Sequence, residues 1–222
     1  MNILDTEKLW LPQTDERSCG LVALRMALRF FGVETTNAEL QRELISLGLR
    51  VIATGVFAPY LGILAQRREF KTIVRYPIAL LDEIRNPKQP SSFALEPSHT
   101  AVKCSKTRSY LYRSLRQYLM SGGKVIVYSY DAPNITHITN AMRKRAPVLV
   151  GVSCRNYYGI LNEDWDHVLT LIPRSGRFVV LDSFKERGRN YYGKKKWARC
   201  LRLAQRFCWD EWFGDMVEIH PK

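Results

Sequence analysis

Cys19 follows the polar residues Asp15, Arg17 and Ser18 and opens an apolar, small-residue-rich run that reads as a helix over residues 18–31. The unpaired N–H groups and the dipole at a helix start favour an anion, so a thiol placed there gains thiolate character. Gly20, beside it, admits close approach of a backbone or a substrate. An ordinary buried cysteine at the end of a core helix fits the same position. A thiolate nucleophile needs a base to take and return a proton, and that base needs an orienting partner. The chain has four histidines, at positions 99, 137, 167 and 220. His99 lies in a Pro- and Ser-rich stretch, His137 near the start of a helix over 135–145, and His220 two residues from the end. His167 instead begins the strand H-V-L-T-L-I directly after the polar loop N-E-D-W-D. A base at such a point is held firmly and still reaches a cleft.

Asp182 ends a second strand, F-V-V-L-D, and the segment P-R-S-G between the two strands suits a hairpin. With strands 167–172 and 177–182 antiparallel, His167 and Asp182 face one another across the ladder. Facing residues have Cβ atoms roughly 4.5–5.5 Å apart, within reach of a carboxylate–imidazole hydrogen bond. A slip of one residue would send the two side chains to opposite faces. Asp166, next to His167, is the rival carboxylate, and strand alternation turns it to the other face.

These residues need elements to hold them. After the helix over 18–31, which Gly32 stops, Thr36 and Glu39 form a capping-box pattern opening a second helix with Leu40, Leu44 and Leu47 inward and Gly48 at its end. A third helix follows Thr54-Gly55 and runs to about Arg68, and a strand covers 70–76. Residues 77–109, with Pro87, Pro90, Pro97 and several serines, read as a loop-rich insertion containing a short helix over 78–85. A helix over 109–120, strands over 124–130 and 147–152, and the hairpin follow, and a strand over 216–219 closes the sheet. Helices come first and strands cluster late, which argues for an α+β fold. No internal repeat or low-complexity tract divides the 222 residues, so a single domain spanning 1–222 is expected.

The segment L-P-Q-T-D-E-R-S-C-G-L-V-A-L-R-M-A-L-R-F-F-G resembles the start of the bacteriocin-processing, or double-glycine, cysteine peptidases and their wider relatives, which have a papain-like fold. That family pairs a glutamine about six residues before a Cys-Gly with an apolar helix ending in glycine. A Glu- and Leu-rich helix and a Thr-Gly turn come next. Gln13, Cys19-Gly20, Gly32, E-L-Q-R-E-L and Thr54-Gly55 supply these features here. Later positions also match: P-V-L-V at 147–150, a strand led by His167, and a strand ended by Asp182. The resemblance implies Cys19 as nucleophile, His167 as general base and acid, Asp182 as its orienter, and the Gln13 amide as a donor to the oxyanion. It further implies a helical half carrying the nucleophile, packed on an antiparallel sheet carrying the histidine and the aspartate. Where relatives often have proline after the aspartate, this chain has Ser183-Phe184.

Composition narrows the remaining classes. Apolar residues make up 46% and charged residues 25%, a globular balance, and no run approaches the length of a transmembrane helix. The start M-N-I-L-D-T-E-K lacks the layout of a signal peptide. Five cysteines, at 19, 104, 154, 200 and 208, form no C-x-x-C pair. That pattern points away from disulfides, metal and cofactor, and towards a reducing, cytoplasmic compartment. The formal charge is +13 and is unevenly spread. The stretch 185–206, opened by Lys185 and closed by Arg206, holds nine basic groups against Glu186 alone. It reads either as the wet face of a helix or as a surface for an anionic partner. The reading that results is a thiol hydrolase of peptidase or amidase type, acting on a peptide or protein substrate. The same triad would serve an acyltransferase or a glutamine deamidase, and a non-catalytic basic binding module is the contrasting class. Residues 77–109 and the loop 154–166, with Tyr157, Tyr158 and Trp165, are the expected groove walls.

Overall fold

A computed structural model describes residues 6–15, 17–48, 56–77, 105–128, 134–153, 166–174, 177–184, 189–190 and 215–222. Helices α1 (Thr6–Leu9), α2 (Cys19–Phe30), α3 (Asn37–Ser46) and α4 (Ala58–Gln66) come first. Strand β1 (Lys71–Pro77), helix α5 (Ser105–Met120), strand β2 (Lys124–Tyr128) and helix α6 (Asn134–Arg143) follow. Strands β3 (Val148–Ser153), β4 (Asp166–Arg174), β5 (Arg177–Leu181), β6 (Arg189–Asn190) and β7 (Met216–His220) complete the order. The α+β class expected from the sequence is the class observed. The expected insertion at 77–109 lies outside the described residues except for Pro77 and the first turn of α5, which starts at Ser105 rather than 109. The loop 154–166 lies outside them apart from Asp166, and so does the stretch 185–206 apart from β6.

Local sequence explains the elements. Helix α3 is opened by a reciprocal capping box, in which the Thr36 hydroxyl accepts from Glu39 N–H at 3.2 Å and the Glu39 carboxylate accepts from Thr36 N–H at 2.7 Å. The Thr36 N–H bond, with further bonds from the Thr35 and Thr36 hydroxyls, holds the Glu39 carboxyl below its usual range. Gly32 leaves α2 at φ +81, a conformation glycine adopts without penalty. The sequence pattern gives α2 one inward face, but burial runs almost all round it: residues 19–24 and 26–28 are buried, and Arg25 and Arg29 reach out. The helix lies inside the molecule, which its Ala- and Leu-rich composition permits.

The strands form one sheet in the order β2-β1-β7-β3-β4-β5-β6. The strands that carry His167 and lead to Asp182 pair antiparallel, as expected, and every pair in the sheet is antiparallel except β1–β2, which is parallel. A parallel neighbour requires a crossover, and the connection between these two strands contains α5. Strand β7 does not close the sheet but lies between β1 and β3. Its polar residue Glu218 gives it the look of an edge strand, yet that carboxylate is buried and bonded to Arg75 of β1 and to His220. Burial pushes the Glu218 pKa up, but the His220 and Arg75 contacts outweigh it and hold the carboxyl below its usual value.

Strand alternation divides the core. Val74, Leu149, Val217 and Ile219 pack with α2, α4 and α5 on one side. Val148, Val150, Leu169, Leu171, Phe178, Val180 and Met216 pack with Ile138 and Ala141 of α6 on the other. A third cluster joins Val22 and Met26 of α2 to Ile172, Val179 and Leu181. This last cluster seats the N-terminal helix beside the β4–β5 hairpin.

Candidate active site

Helix α2 presents its start to the hairpin. Its first main-chain bond runs from Val22 N–H to the Ser18 carbonyl at 2.9 Å, so the N–H groups of Cys19, Gly20 and Leu21 lie ahead of the helix's own ladder. The Ser18 hydroxyl turns away to the Asp15 carbonyl at 3.3 Å. Cys19 is buried at 8% exposure. A Cβ added at Gly20 would lie 3.5 Å from Leu61 and from the Val56 carbonyl, ordinary contact. The expected tight approach at Gly20 is therefore not made by these neighbours. One turn into the helix, the Ala23 carbonyl accepts a buried bond from Thr170 Oγ1 of β4 at 2.9 Å. That bond fixes α2 against β4 only three residues beyond His167.

The hairpin register differs from the expected one. Thr170 pairs with Leu181 and Arg174 with Arg177, so β4 runs on through Pro173 and only residues 175 and 176 separate the strands. Proline is tolerated there because the β3 ladder ends at Leu171, leaving no neighbour on that side to need its N–H. Extended beyond β5, this register puts Phe184 opposite His167 and makes Asp182 the diagonal neighbour. The displacement is two residues, one side-chain period, so Asp182 keeps to the same face as His167.

His167 Nε2 donates to Asp182 Oδ1 at 3.0 Å, with both side chains almost fully inaccessible. The same Oδ1 accepts from Phe184 N–H at 3.0 Å. The Phe184 ring lies 4.7 Å from the imidazole, centroid to centroid. Burial by itself would lower the imidazole pKa. Hydrogen bonds to Asp182 and to Cys19, with the charges of both, overcome that and raise it from 6.5 to about 9. Nε2 is engaged by the carboxylate, which leaves Nδ1 as the ring nitrogen available to a thiol.

Gln13 lies on the segment that precedes α2 and is bonded to the residue after Asp182. Its N–H donates to the Ser183 carbonyl at 2.8 Å, and its side-chain Oε1 accepts from Ser183 Oγ at 2.7 Å. Trp10 Nε1 donates to the Asp182 carbonyl at 2.6 Å. Cys19, His167 and Asp182 therefore come together from α2, β4 and the end of β5, and Gln13 is tied to the residue after Asp182.

The chain is similar to a solved peptidase domain. That structure is the peptidase domain of Streptococcus ComA, a bi-functional ABC transporter involved in a quorum-sensing pathway. The likeness covers 96% of this chain and 98% of the other at 15% identity, with a TM-score of 0.45. No family model matches the chain, and no curated protein matches it.

His220 ends β7 and contacts Glu218 at 3.1 Å, His137 is on α6, and His99 is outside the described residues. Asp166 opens β4 opposite Ser153. Among the described residues no three His, Cys, Asp or Glu side chains are grouped to hold a metal ion, and no helix is long and apolar enough to cross a membrane. Sequence reasoning missed Trp10, Ser183 and Phe184. The signal for the last two was adjacency to Asp182, whereas Trp10 offered only an indole N–H in need of a partner.

Proposed function

We propose that the protein is a thiol hydrolase of peptidase or amidase type acting through Cys19, His167 and Asp182. The observation that carries this reading is the buried imidazole bonded to the Asp182 carboxylate, with Cys19 at a helix start near enough to help raise the ring's pKa. A buried histidine with a raised pKa is charged at neutral pH, and an imidazolium is the counter-charge a thiolate needs. Cys19 Sγ attacks a carbonyl carbon of a peptide or protein substrate. Negative charge then builds on the carbonyl oxygen, where the Cys19 N–H and the Gln13 side-chain amide act as donors. His167 gives its proton to the leaving amine, and an acyl-enzyme remains. Neutral His167 next takes a proton from water, which attacks the acyl carbon and releases the acid. Asp182 holds the ring in one orientation and stabilises its charged form throughout. The motif resemblance of the segment around Gln13 and Cys19 supports the same assignment.

The test is covalent capture. A peptide chloromethyl ketone should modify Cys19 of the wild type and leave Cys19→Ala unmodified, and His167→Ala should slow the reaction by about a hundredfold or more. Modification spread evenly over the five cysteines, or unaffected by His167→Ala, would rule the mechanism out. Mass spectrometry of a processed substrate separates cleavage from deamidation, because deamidation leaves the chain intact.

A further inference from the structure

A glutamine carboxamide has two chemically opposite ends, an accepting oxygen and a donating NH2. Only the NH2 end stabilises an oxyanion, and the oxygen end would repel one. Gln13 is at 9% exposure, so solvent does little to select between the two orientations. Ser183 does select. Its side chain is fully buried, and its hydroxyl donates to Gln13 Oε1 at 2.7 Å, committing the oxygen end to this contact. The main-chain bond from Gln13 N–H to the Ser183 carbonyl and the bond from the Trp10 indole to the Asp182 carbonyl fasten both segments, so the hydroxyl keeps its place.

We propose that Ser183 is a positioning residue that locks the Gln13 carboxamide with its NH2 end turned outward as an oxyanion donor. This rests on the thiol-hydrolase reading and assigns a role to a residue which that mechanism leaves unused. Without the hydroxyl, the carboxamide loses the bond that distinguishes its ends and populates the flipped orientation as well. Ser183 touches no reacting atom and acts only through Gln13.

Two reagents separate this role from a structural one. Iodoacetamide alkylates by displacement of iodide at a methylene carbon and builds no oxyanion, so its rate reports thiolate content and access. p-Nitrophenyl acetate is attacked at a carbonyl: the sulfur–carbon bond forms, p-nitrophenolate leaves, and water later releases acetate and regenerates the thiol. With Ser183→Ala, acylation by the ester should fall about tenfold, while alkylation stays within about twofold of wild type. Gln13→Ala should lose about a hundredfold in acylation, and adding Ser183→Ala to it should cost nothing more. Ser183→Thr, which keeps the hydroxyl, should restore acylation to within about threefold.

An unchanged acylation rate in Ser183→Ala overturns the proposal. So does a parallel loss in both reactions, or an independent loss in the double variant. If wild type itself fails to react at Cys19 with either reagent, the hydrolase reading falls and takes this one with it. That outcome appears in the wild type and not in the variants, so the two failures are distinguishable.

Discussion

Replacing Asp182 by asparagine keeps the shape of the side chain and removes its charge. The His167 imidazole is raised from 6.5 to about 9 against the opposing effect of burial, with Asp182 and Cys19 supplying the bonds and charges that raise it. A rise of that size corresponds to roughly 3 kcal/mol in favour of the protonated ring. A hydrogen bond to a charged group is worth about 1.5–3 kcal/mol, so losing the carboxylate should lower the ring's midpoint by about one to two pH units. Stability follows with a definite sign. Because the folded pKa lies above the ordinary one, folding favours the protonated ring. Its contribution is full below about pH 6.5, declines as pH rises, and is gone above about pH 9. Proton NMR of the ring signals, with His167→Gln used to assign the resonance, reads the midpoint directly. Urea unfolding at about pH 6 and about pH 9.5 reads the linked loss, which should be roughly 3 kcal/mol in wild type and smaller in Asp182→Asn. A wild-type midpoint at the ordinary histidine value would refute the reasoning, as would an Asp182→Asn titration that overlays the wild type.

Glu218→Gln leaves Arg75 charged, buried and without its carboxylate partner, and should cost about 3–5 kcal/mol in urea unfolding, far more than an exposed pair would. Gly62→Ala places a methyl 2.6 Å from Tyr118 Cε2, with Val74 also close behind it, so the thermal midpoint should drop by the equivalent of about 1–3 kcal/mol. Thr36→Ala removes the hydroxyl of the capping box and should lose about 1 kcal/mol in the same unfolding assay, with the alkylation rate of Cys19 unchanged.

The elements that sequence reasoning located best are those whose signals are local. The capping box at Thr36 and Glu39, the glycine stop at Gly32 and the apolar run beginning at Cys19 each depend on neighbours within a turn of helix. The order of helices before strands was legible for the same reason. What failed was long-range. The hairpin register missed by two residues because Pro173 reads as a turn residue, whereas its tolerance depends on the β3–β4 ladder having ended at the Val148–Leu171 pair. The error did little damage, since an even displacement keeps His167 and Asp182 on one face. Strand β7 was misplaced because the partner that makes Glu218 acceptable in mid-sheet, Arg75, is distant along the chain. Gln13 carried no signal of its own and entered only through the motif resemblance.

The three consecutive residues Asp182, Ser183 and Phe184 explain why a site drawn from distant parts of the chain can be rigid. Asp182 takes the imidazole on its carboxylate and the Trp10 indole on its carbonyl. Ser183 binds Gln13 through both main chain and side chain, and Phe184 returns its N–H to Asp182 and lays its ring against His167. Strand-like alternation sends 182 and 184 to the histidine while 183 faces the segment leading into α2. One short stretch thus holds His167 and Gln13 at once, and Thr170 independently holds the helix that carries Cys19. Hydrogen bonds act over less than about 3.5 Å, so such a stretch transmits a displacement of either side to the other. The spacing of His167 and Gln13 is therefore set largely by the covalent geometry between Asp182 and Ser183.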